Sequence, residues 1–361
     1  MFIPADAPAA STSDTAVQRG LERLVASRGG PPGAIATLYR NGRMTVLRAG
    51  RADVRRPGAP RASDHMRIAS IAKAFNGAVA LRLVQEGQLG LDDTIGQRAP
   101  ELPAAWAGVT VRQMLNHTGG LPDYTHTQAA IDQAVKDPKG FVPPAQIIEW
   151  VREEPLEFTP GSRYAYSNTD NIVVALIAEA VSGKPYQQLL SEAVFRPAGL
   201  RETSFPSVTA LPRPFLHGYV VARGQKPEDV STALSPSAAW ASGAVVSTPA
   251  DLNAFIRGDL GRRFFGASQQ REQLRFVPGG TSDPPGPGRN AAGLAIFRYQ
   301  TRCGTVYGHT GSFPGYAQFA AATADGRRAV TTSLNIPPPQ GALLRRLRAV
   351  QETAVCALLS G

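Results

Sequence analysis

The chain has few of the residues that several functions require. Cysteine occurs 2 times and histidine 5 times in 361 residues. His65, His117, His126, His217 and His309 are dispersed, with no His-Glu-x-x-His or Cys-x-x-Cys spacing, so no metal site and no cofactor is expected. No apolar run reaches the ~18 residues of a membrane-spanning helix. A glycine-rich phosphate loop is also missing. Lysine is scarce, at 5 of the 38 basic residues, and the remaining basic residues are arginine. The formal charge is +10, yet Arg51, Arg55, Arg56, Arg61, Arg82, Arg262, Arg263, Arg345 and Arg346 form no stripe interleaved with aromatic platforms. Nucleic acid is therefore not an expected partner. A general positive potential would instead help attract an anionic substrate such as a peptide carboxylate.

The length suits one large domain or two interleaved ones with a substantial core. Met1-Phe-Ile-Pro-Ala-Asp6 lacks the basic and apolar segments of an export signal, and residues 1–13 are expected to be a flexible leader. Val17, Leu21, Leu24 and Val25 share one face of a helix over residues 15–28. Residues 34–39 and 43–49 are β-like and meet at Asn41-Gly42, a strong hairpin signal. Helical segments follow at 70–86, 111–115, 145–151, 170–181 and 185–194. Strand-like runs return at 293–297, 304–308, 316–322 and 330–335, with Asp325-Gly326 as the last turn. An apolar helix over 343–359 closes the chain. The expected fold is α/β (α+β): an antiparallel sheet from both chain ends flanked by terminal helices, plus an inserted all-helical domain. The boundaries are 14–66 and 240–361 for the sheet domain and 67–239 for the helical one.

Within Arg67-Ile-Ala-Ser-Ile-Ala-Lys73, Ser70 and Lys73 lie one turn apart on the same helix face. A serine hydroxyl is a weak nucleophile until an adjacent base activates it. Tyr166-Ser-Asn168 is the only Tyr-x-Asn after Ser70, and His309-Thr-Gly311 follows later. The order nucleophile-x-x-Lys, hydroxyl-x-Asn, base-Thr-Gly is that of the serine penicillin-recognising enzymes. Longer runs support the same reading, among them Leu115-Asn-His-Thr-Gly-Gly-Leu-Pro-Asp-Tyr124, Pro160-Gly-Ser-Arg-Tyr-Ala-Tyr-Ser-Asn-Thr169 and Tyr307-Gly-His-Thr-Gly-Ser-Phe-Pro-Gly-Tyr316. On these residues the chain resembles the serine beta-lactamase and penicillin-binding-protein superfamily from about Gly33 to Cys356. It looks most like the branch of class C beta-lactamases, related esterases and D-alanyl-D-alanine carboxypeptidases with a His-Thr-Gly third motif. Of the two His-Thr-Gly copies, the strand context selects His309. His117 is assigned to a turn as a residue that bonds backbone.

The resemblance implies a beta-lactamase/transpeptidase-like fold and an acyl-enzyme on Ser70, with Lys73, Tyr166 and His309 as the other catalytic residues. The residues alone leave two protonation schemes: burial makes Lys73 a base, or its charge holds Tyr166 as a phenolate. By resemblance Asn168 donates to the substrate amide, Thr310 contacts a substrate carboxylate, Gly311 is a further substrate-binding residue, and the amides of Ser70 and Ser312 are the oxyanion donors. A Cys303–Cys356 disulfide is carried over in the same way, and with it a secreted or cell-envelope location, the alternative being cytoplasmic. The implied substrate is a small molecule or peptide, such as a peptidoglycan stem peptide or a beta-lactam, and a monomer is expected. A D-amino-acid hydrolase or transpeptidase is the leading function. An esterase, a beta-lactamase, a peptide-releasing or cyclising acyltransferase, and a catalytically silent penicillin-binding sensor are the alternatives. Carboxypeptidases of this type use an arginine after a Gly-Leu-Gly-Leu-like run. Here Gly293-Leu-Ala-Ile296 leads to Phe297 and only then to Arg298, which alternation turns to the opposite face.

Overall fold

Asn41 and Gly42 take φ values of 51° and 74°, the left-handed pair that a two-residue hairpin turn needs. They join β1 (Gly33–Arg40) to β2 (Arg43–Gly50), paired from Gly33↔Gly50 to Arg40↔Arg43. The computed structural model describes residues 12–222 and 224–360. Most of the expected 1–13 leader lies outside the described residues, and Thr12 and Ser13 already belong to the first helix. The principal helices are α1 (Thr12–Val25), α2 (Ala72–Gln85), α3 (Gln128–Lys136), α4 (Asn168–Ser182), α5 (Pro249–Leu260) and α6 (Gly341–Leu359).

Five further strands come from the far end of the chain: β3 (Arg289–Ala292), β4 (Phe297–Thr301), β5 (Gly304–Phe313), β6 (Tyr316–Ala322) and β7 (Ala329–Leu334). The seven strands form one antiparallel sheet in the order β2-β1-β7-β6-β5-β4-β3. The chain ends thus meet inside the sheet, with Ala34 opposite Leu334 and Tyr39 opposite Ala329. This is the mixed α/β arrangement expected, an antiparallel sheet with terminal helices on one side. Val17, Leu21 and Leu24 of α1 and Leu347, Val350 and Ala354 of α6 bury that side against Leu38, Phe319 and Val330. Cys303, in the turn before β5, is bonded to Cys356 of α6, their Cα atoms 5.2 Å apart.

The other side of the sheet shares a continuous core with the helices of the chain's middle, running from Met66 through α2 and α4 to Ala320, Ala322 and Ala329. Every residue from Ala72 to Leu81 of α2 is buried. Its sequence is accordingly apolar all round, as a helix sunk in a core requires. A Cβ added at Gly77 would stand 2.4 Å from that of Ala295, so α2 lies against the β3–β4 connection only because residue 77 is glycine. Among the described residues no helix is long and apolar enough to cross a membrane.

Two local expectations need correction. Gly293–Phe297 is not a strand, since Gly293–Ile296 form the turn between β3 and β4. Ala295 there takes φ 58°, and its amide donates to the Leu115 carbonyl at 2.7 Å. Leu294, Ala295 and Ile296 are apolar because they face helices, and periodicity cannot separate such a run from a buried strand. Helix α5 was not expected, although Thr248 accepts from the Asp251 amide as its N-cap and Pro249 follows at the first position. Asn253 of α5 reaches Thr37 Oγ1 at 3.1 Å and holds the helix to β1.

Asp259, near the end of α5, is fully buried and accepts one bond, from Gln273 Nε2 at 2.9 Å. Burial pushes its carboxyl up to about 7 from 3.8. Between these values the folded chain holds a proton that the unfolded chain has released, so stability falls as pH rises through this window. Asp259→Asn is expected to melt a few degrees above wild type at pH 8, with a smaller gap at pH 5. Thermal denaturation at both pH values measures it.

Candidate active site

The chain enters the site through a tight turn. Residues Ala69–Ile71 form a single 3-10 turn ahead of α2, and Ala69 has φ 52°, a conformation non-glycine residues rarely take. This places Ser70 at the head of α2 and Lys73 one turn further on. Lys73 Nζ lies 3.1 Å from Ser70 Oγ, 2.7 Å from Asn168 Oδ1 and 2.9 Å from the Ser242 carbonyl oxygen. Two of these three partners, the carboxamide and main-chain oxygens, are acceptors only. A neutral amine that donates its two N–H bonds to them directs its lone pair at the Ser70 hydroxyl. Burial lowers the Lys73 pKa to about 7, against the opposing charges of Asp123, Asp283 and Asp170. At neutral pH the amine is thus a competent base. Burial meanwhile pushes the Tyr166 phenol well above its usual range, with only a partial offset from the Ser70 hydroxyl. Of the two protonation schemes, these shifts favour the amine base over the phenolate.

Asn168 is the first residue of α4. Asp123 Oδ2 accepts from its backbone N–H at 3.0 Å and from its Nδ2 at 2.8 Å. That contact turns the carboxamide oxygen toward Lys73. One Nδ2 hydrogen is left for the expected donation to a substrate. The Tyr166 ring lies 5.1 Å from Lys73 Nζ, and its buried hydroxyl makes no hydrogen bond of ordinary geometry. His309 is fully buried, with its ring centre 6.4 Å from that of Tyr166. Burial, then the charge of Lys73, hold His309 down at about 3, so the imidazole is neutral. Its Nδ1 lies 2.5 Å from the Thr310 carbonyl oxygen, which leaves Nε2 a buried acceptor without a partner.

His117 does more than serve a turn. Its carbonyl accepts from the Ala165 amide, but its ring pairs with the Asp170 carboxyl, Nδ1 to Oδ2 2.8 Å, and lies 4.5 Å from the Tyr166 ring. The pair is fully buried behind Tyr166 and fixes the wall against which that phenol rests.

Strand β5 supplies the opposite wall. β4 pairs with it only as far as Gly308, so the edge of 309–313 beyond that point is free of a partner strand. A Cβ at Gly311 would stand 2.3 Å from the Ile68 carbonyl oxygen, so this glycine lets β5 pack onto the turn that carries Ser70. Thr310 is differently engaged from the expectation: its hydroxyl donates to the Pro284 carbonyl at 2.7 Å, and the residue does not line the cleft. Ser312 does. The cleft is a cavity of about 380 Å³ in which Ser70, Tyr166, Asn168, Ser242 and Ser312 face an apolar wall that includes Tyr124, Ile131, Val142, Trp150 and Phe313. Arg298 does not line it, since its guanidinium lies over the Phe276 ring, 5.0 Å from the ring centre.

The structure therefore gathers Ser70, Lys73, Tyr166, Asn168, His309, Gly311 and Ser312 around one cleft. Asp123, the Ser242 carbonyl, the His117–Asp170 pair and Asp283 are the members that sequence reasoning missed. Asp123 stood inside the quoted Gly-Leu-Pro-Asp-Tyr run, where turn chemistry hid its other use. A main-chain carbonyl leaves no mark in a sequence. Among the described residues no group of His, Cys, Asp and Glu is placed to hold a metal ion.

Comparison with known proteins identifies the family. The family model described as Beta-lactamase matches residues 16–354, and the chain belongs to that family. It is similar to a D-stereospecific amidohydrolase from Streptomyces sp., with TM-score 0.79 and 30% identity over 90% of this chain and 94% of that one. A D-amino acid amidase from Ochrobactrum anthropi SV3, solved with L-phenylalanine amide, gives TM-score 0.84 and 25% identity over 96% and 98%. Among curated proteins, the D-alanyl-D-alanine-carboxypeptidase/endopeptidase AmpH of Escherichia coli K12 is 30% identical over 62% of this chain and 56% of its own length. The match spans 29% and 38% of two other curated relatives.

Removing the Asp123 charge tests the relay to Lys73. Asp123→Asn takes away the acceptor that orients Asn168 and the largest of the charges that raise the Lys73 pKa. The expected outcome is a kcat lower by roughly 10- to 100-fold together with an acid limb of the pH–rate profile moved to lower pH. A profile that keeps its midpoint would show that Asp123 acts on packing alone.

Proposed function

We propose that this Beta-lactamase-family chain is a serine hydrolase that forms an acyl-enzyme on Ser70 with D-amino-acid amides or peptides. The observation that carries the reading is the set of three contacts at Lys73 Nζ, which leave the amine lone pair no partner but the Ser70 hydroxyl. The relatives' names, amidohydrolase, amidase and carboxypeptidase/endopeptidase, support the substrate class.

In this reading Ser70 Oγ attacks the scissile carbonyl carbon as its proton passes to Lys73 Nζ. The carbonyl oxygen gains charge facing the amides of Ser70 and Ser312, donors set in place before the reaction begins. The Tyr166 hydroxyl stands beside Ser70 and passes a proton to the leaving nitrogen, receiving its replacement from Lys73. The C–N bond breaks, the amine leaves, and the acyl group stays on Ser70. A water molecule then repeats the attack with the proton path reversed, which frees the acid and restores the Ser70 hydroxyl. The edge of β5 lets an extended substrate backbone pair beside 309–313. The apolar wall receives its side chain.

Intact mass after incubation with a fluorescent penicillin tests the acylation step. Wild type is expected to gain one adduct and Ser70→Ala none. Hydrolysis of D-phenylalanine amide by wild type should rise with pH along a limb centred near 7, as the Lys73 ammonium gives up its proton. Lys73→Ala should lose at least about 1000-fold in kcat/KM, comparable to loss of a nucleophile's base elsewhere. An unlabelled wild type, or a Lys73→Ala enzyme of undiminished rate, would reject this mechanism.

A further inference from the structure

The charges that face the cleft have one sign. Among the described residues its lining contains two carboxylates, Asp137 and Asp283, and no Lys, Arg or His side chain. The cations nearby, Lys73, Arg67 and Arg298, all lie off that lining. Lys73 spends its N–H bonds on Asn168 Oδ1 and the Ser242 carbonyl and turns its lone pair to Ser70. Arg67 bonds the Ser231 and Thr209 carbonyls through Nε and Nη2, keeps Nη1 buried without a partner, and lies against the Phe313 ring, outside the lining. Arg298 rests on Phe276. A substrate carboxylate would thus meet no cation on the cleft wall among the described residues, despite the chain's net charge of +10.

Asp283 is held in place from both sides. Tyr164 Oη donates to the Thr281 carbonyl at 2.6 Å, Tyr299 Oη donates to Ser282 Oγ at 3.1 Å, and Thr310 Oγ1 donates to the Pro284 carbonyl at 2.7 Å. Its own carboxylate makes no hydrogen bond or ion pair among the described residues, and it is solvent-exposed. It is close enough to the reacting groups for its charge to act on Lys73 and Tyr166. Two further orphans lie in the site, the buried Tyr166 hydroxyl and the buried His309 Nε2. Each can accept a hydrogen bond, and neither brings a positive charge. An unpaired carboxylate on a cleft wall that also carries the unfilled Tyr166 hydroxyl is a site for a donor-rich cation.

We propose that the D-residue acylating Ser70 carries a free α-ammonium group and that Asp283 is the carboxylate that receives it, so the enzyme works from the amino end of its substrate. This rests on the acyl-enzyme reading above and narrows it, because a carboxypeptidase needs the opposite charge in the cleft. It also reverses the expectation that the net positive charge serves an anionic peptide end.

The test compares four substrates at pH 7: D-phenylalanine amide, its N-acetyl and N-succinyl derivatives, and an N-acylated D-Ala-D-Ala peptide, with wild type, Asp283→Asn and Asp283→Lys. The free amine is expected to exceed the acetyl derivative in kcat/KM by about tenfold or more, and the succinyl derivative by more again. The ratio cancels any change in the Lys73 base, since all substrates meet the same Ser70 and Lys73. Asp283→Asn should shrink the ratio, mainly through KM for the free amine, and Asp283→Lys should turn it toward the succinyl derivative. A wild-type ratio near one, or a ratio that neither variant alters, overturns the proposal. Preferred release of D-Ala from the blocked peptide would overturn it too, while leaving the Ser70 mechanism intact. Failure of wild type to turn over any of the four, with no adduct on Ser70, removes both.

Discussion

A lysine amine with no solvent exposure is the constraint around which the site is organised. Burying an ammonium costs far more than burying an apolar side chain, and this protein meets the cost in two ways. It supplies three oxygen partners at 2.7–3.1 Å, and it lets the pKa fall to about 7. Each partner comes from a different part of the chain: Ser70 from the turn before α2, Asn168 from the start of α4, and the Ser242 carbonyl from the 240–243 helix. One nitrogen atom therefore depends on three segments meeting in register. The carboxylates of Asp123, Asp283 and Asp170 keep the shift from going further. The balance between burial and these acids sets the pH at which the amine can take a proton.

A second group of residues supports the phenol by packing and the imidazole by one hydrogen bond. The His117–Asp170 pair backs Tyr166, while the Thr310 carbonyl fixes the His309 ring by its Nδ1. Both Tyr166 Oη and His309 Nε2 are left without partners among the described residues. Unfilled positions of this kind are costly to maintain. Their clustering beside Ser70 is what the proposed substrate would relieve.

Much of the fold was legible where one local rule had no rival. Asn41-Gly42 announced the hairpin, the all-apolar run after Lys73 announced a buried helix, and the terminal amphipathic segments announced the helical layer on the sheet. Legibility failed where tertiary contact, not local preference, decided the outcome. Leu294-Ala-Ile296 is apolar because helices press on it, and no period of two or 3.6 describes a turn. Pro249–Leu260 carries a start signal in Thr248-Pro249, but a cap alone does not announce a helix whose buried residues are chosen by contact with the sheet. The Ser70–Lys73 pair was visible as spacing. What Asp123 does was not, because orienting an amide 45 positions away is a property of the folded chain. Arg298 shows the same limit from the other side: alternation says which face it takes, and only the position of Phe276 says where its charge ends up.

Gly311 has a wider consequence. Its missing side chain lets the β5 backbone rest on the Ile68 carbonyl, so the spacing between the strand and the Ser70 turn is set by main chain against main chain. The walls of the cleft, by contrast, are built from side chains on separate helices and loops. The distance from strand to nucleophile therefore does not depend on which apolar side chains line the rest of the cleft. Side chains such as Ile131 and Val142 can change while that spacing holds, whereas a change at Asp283 also reaches the Lys73 base.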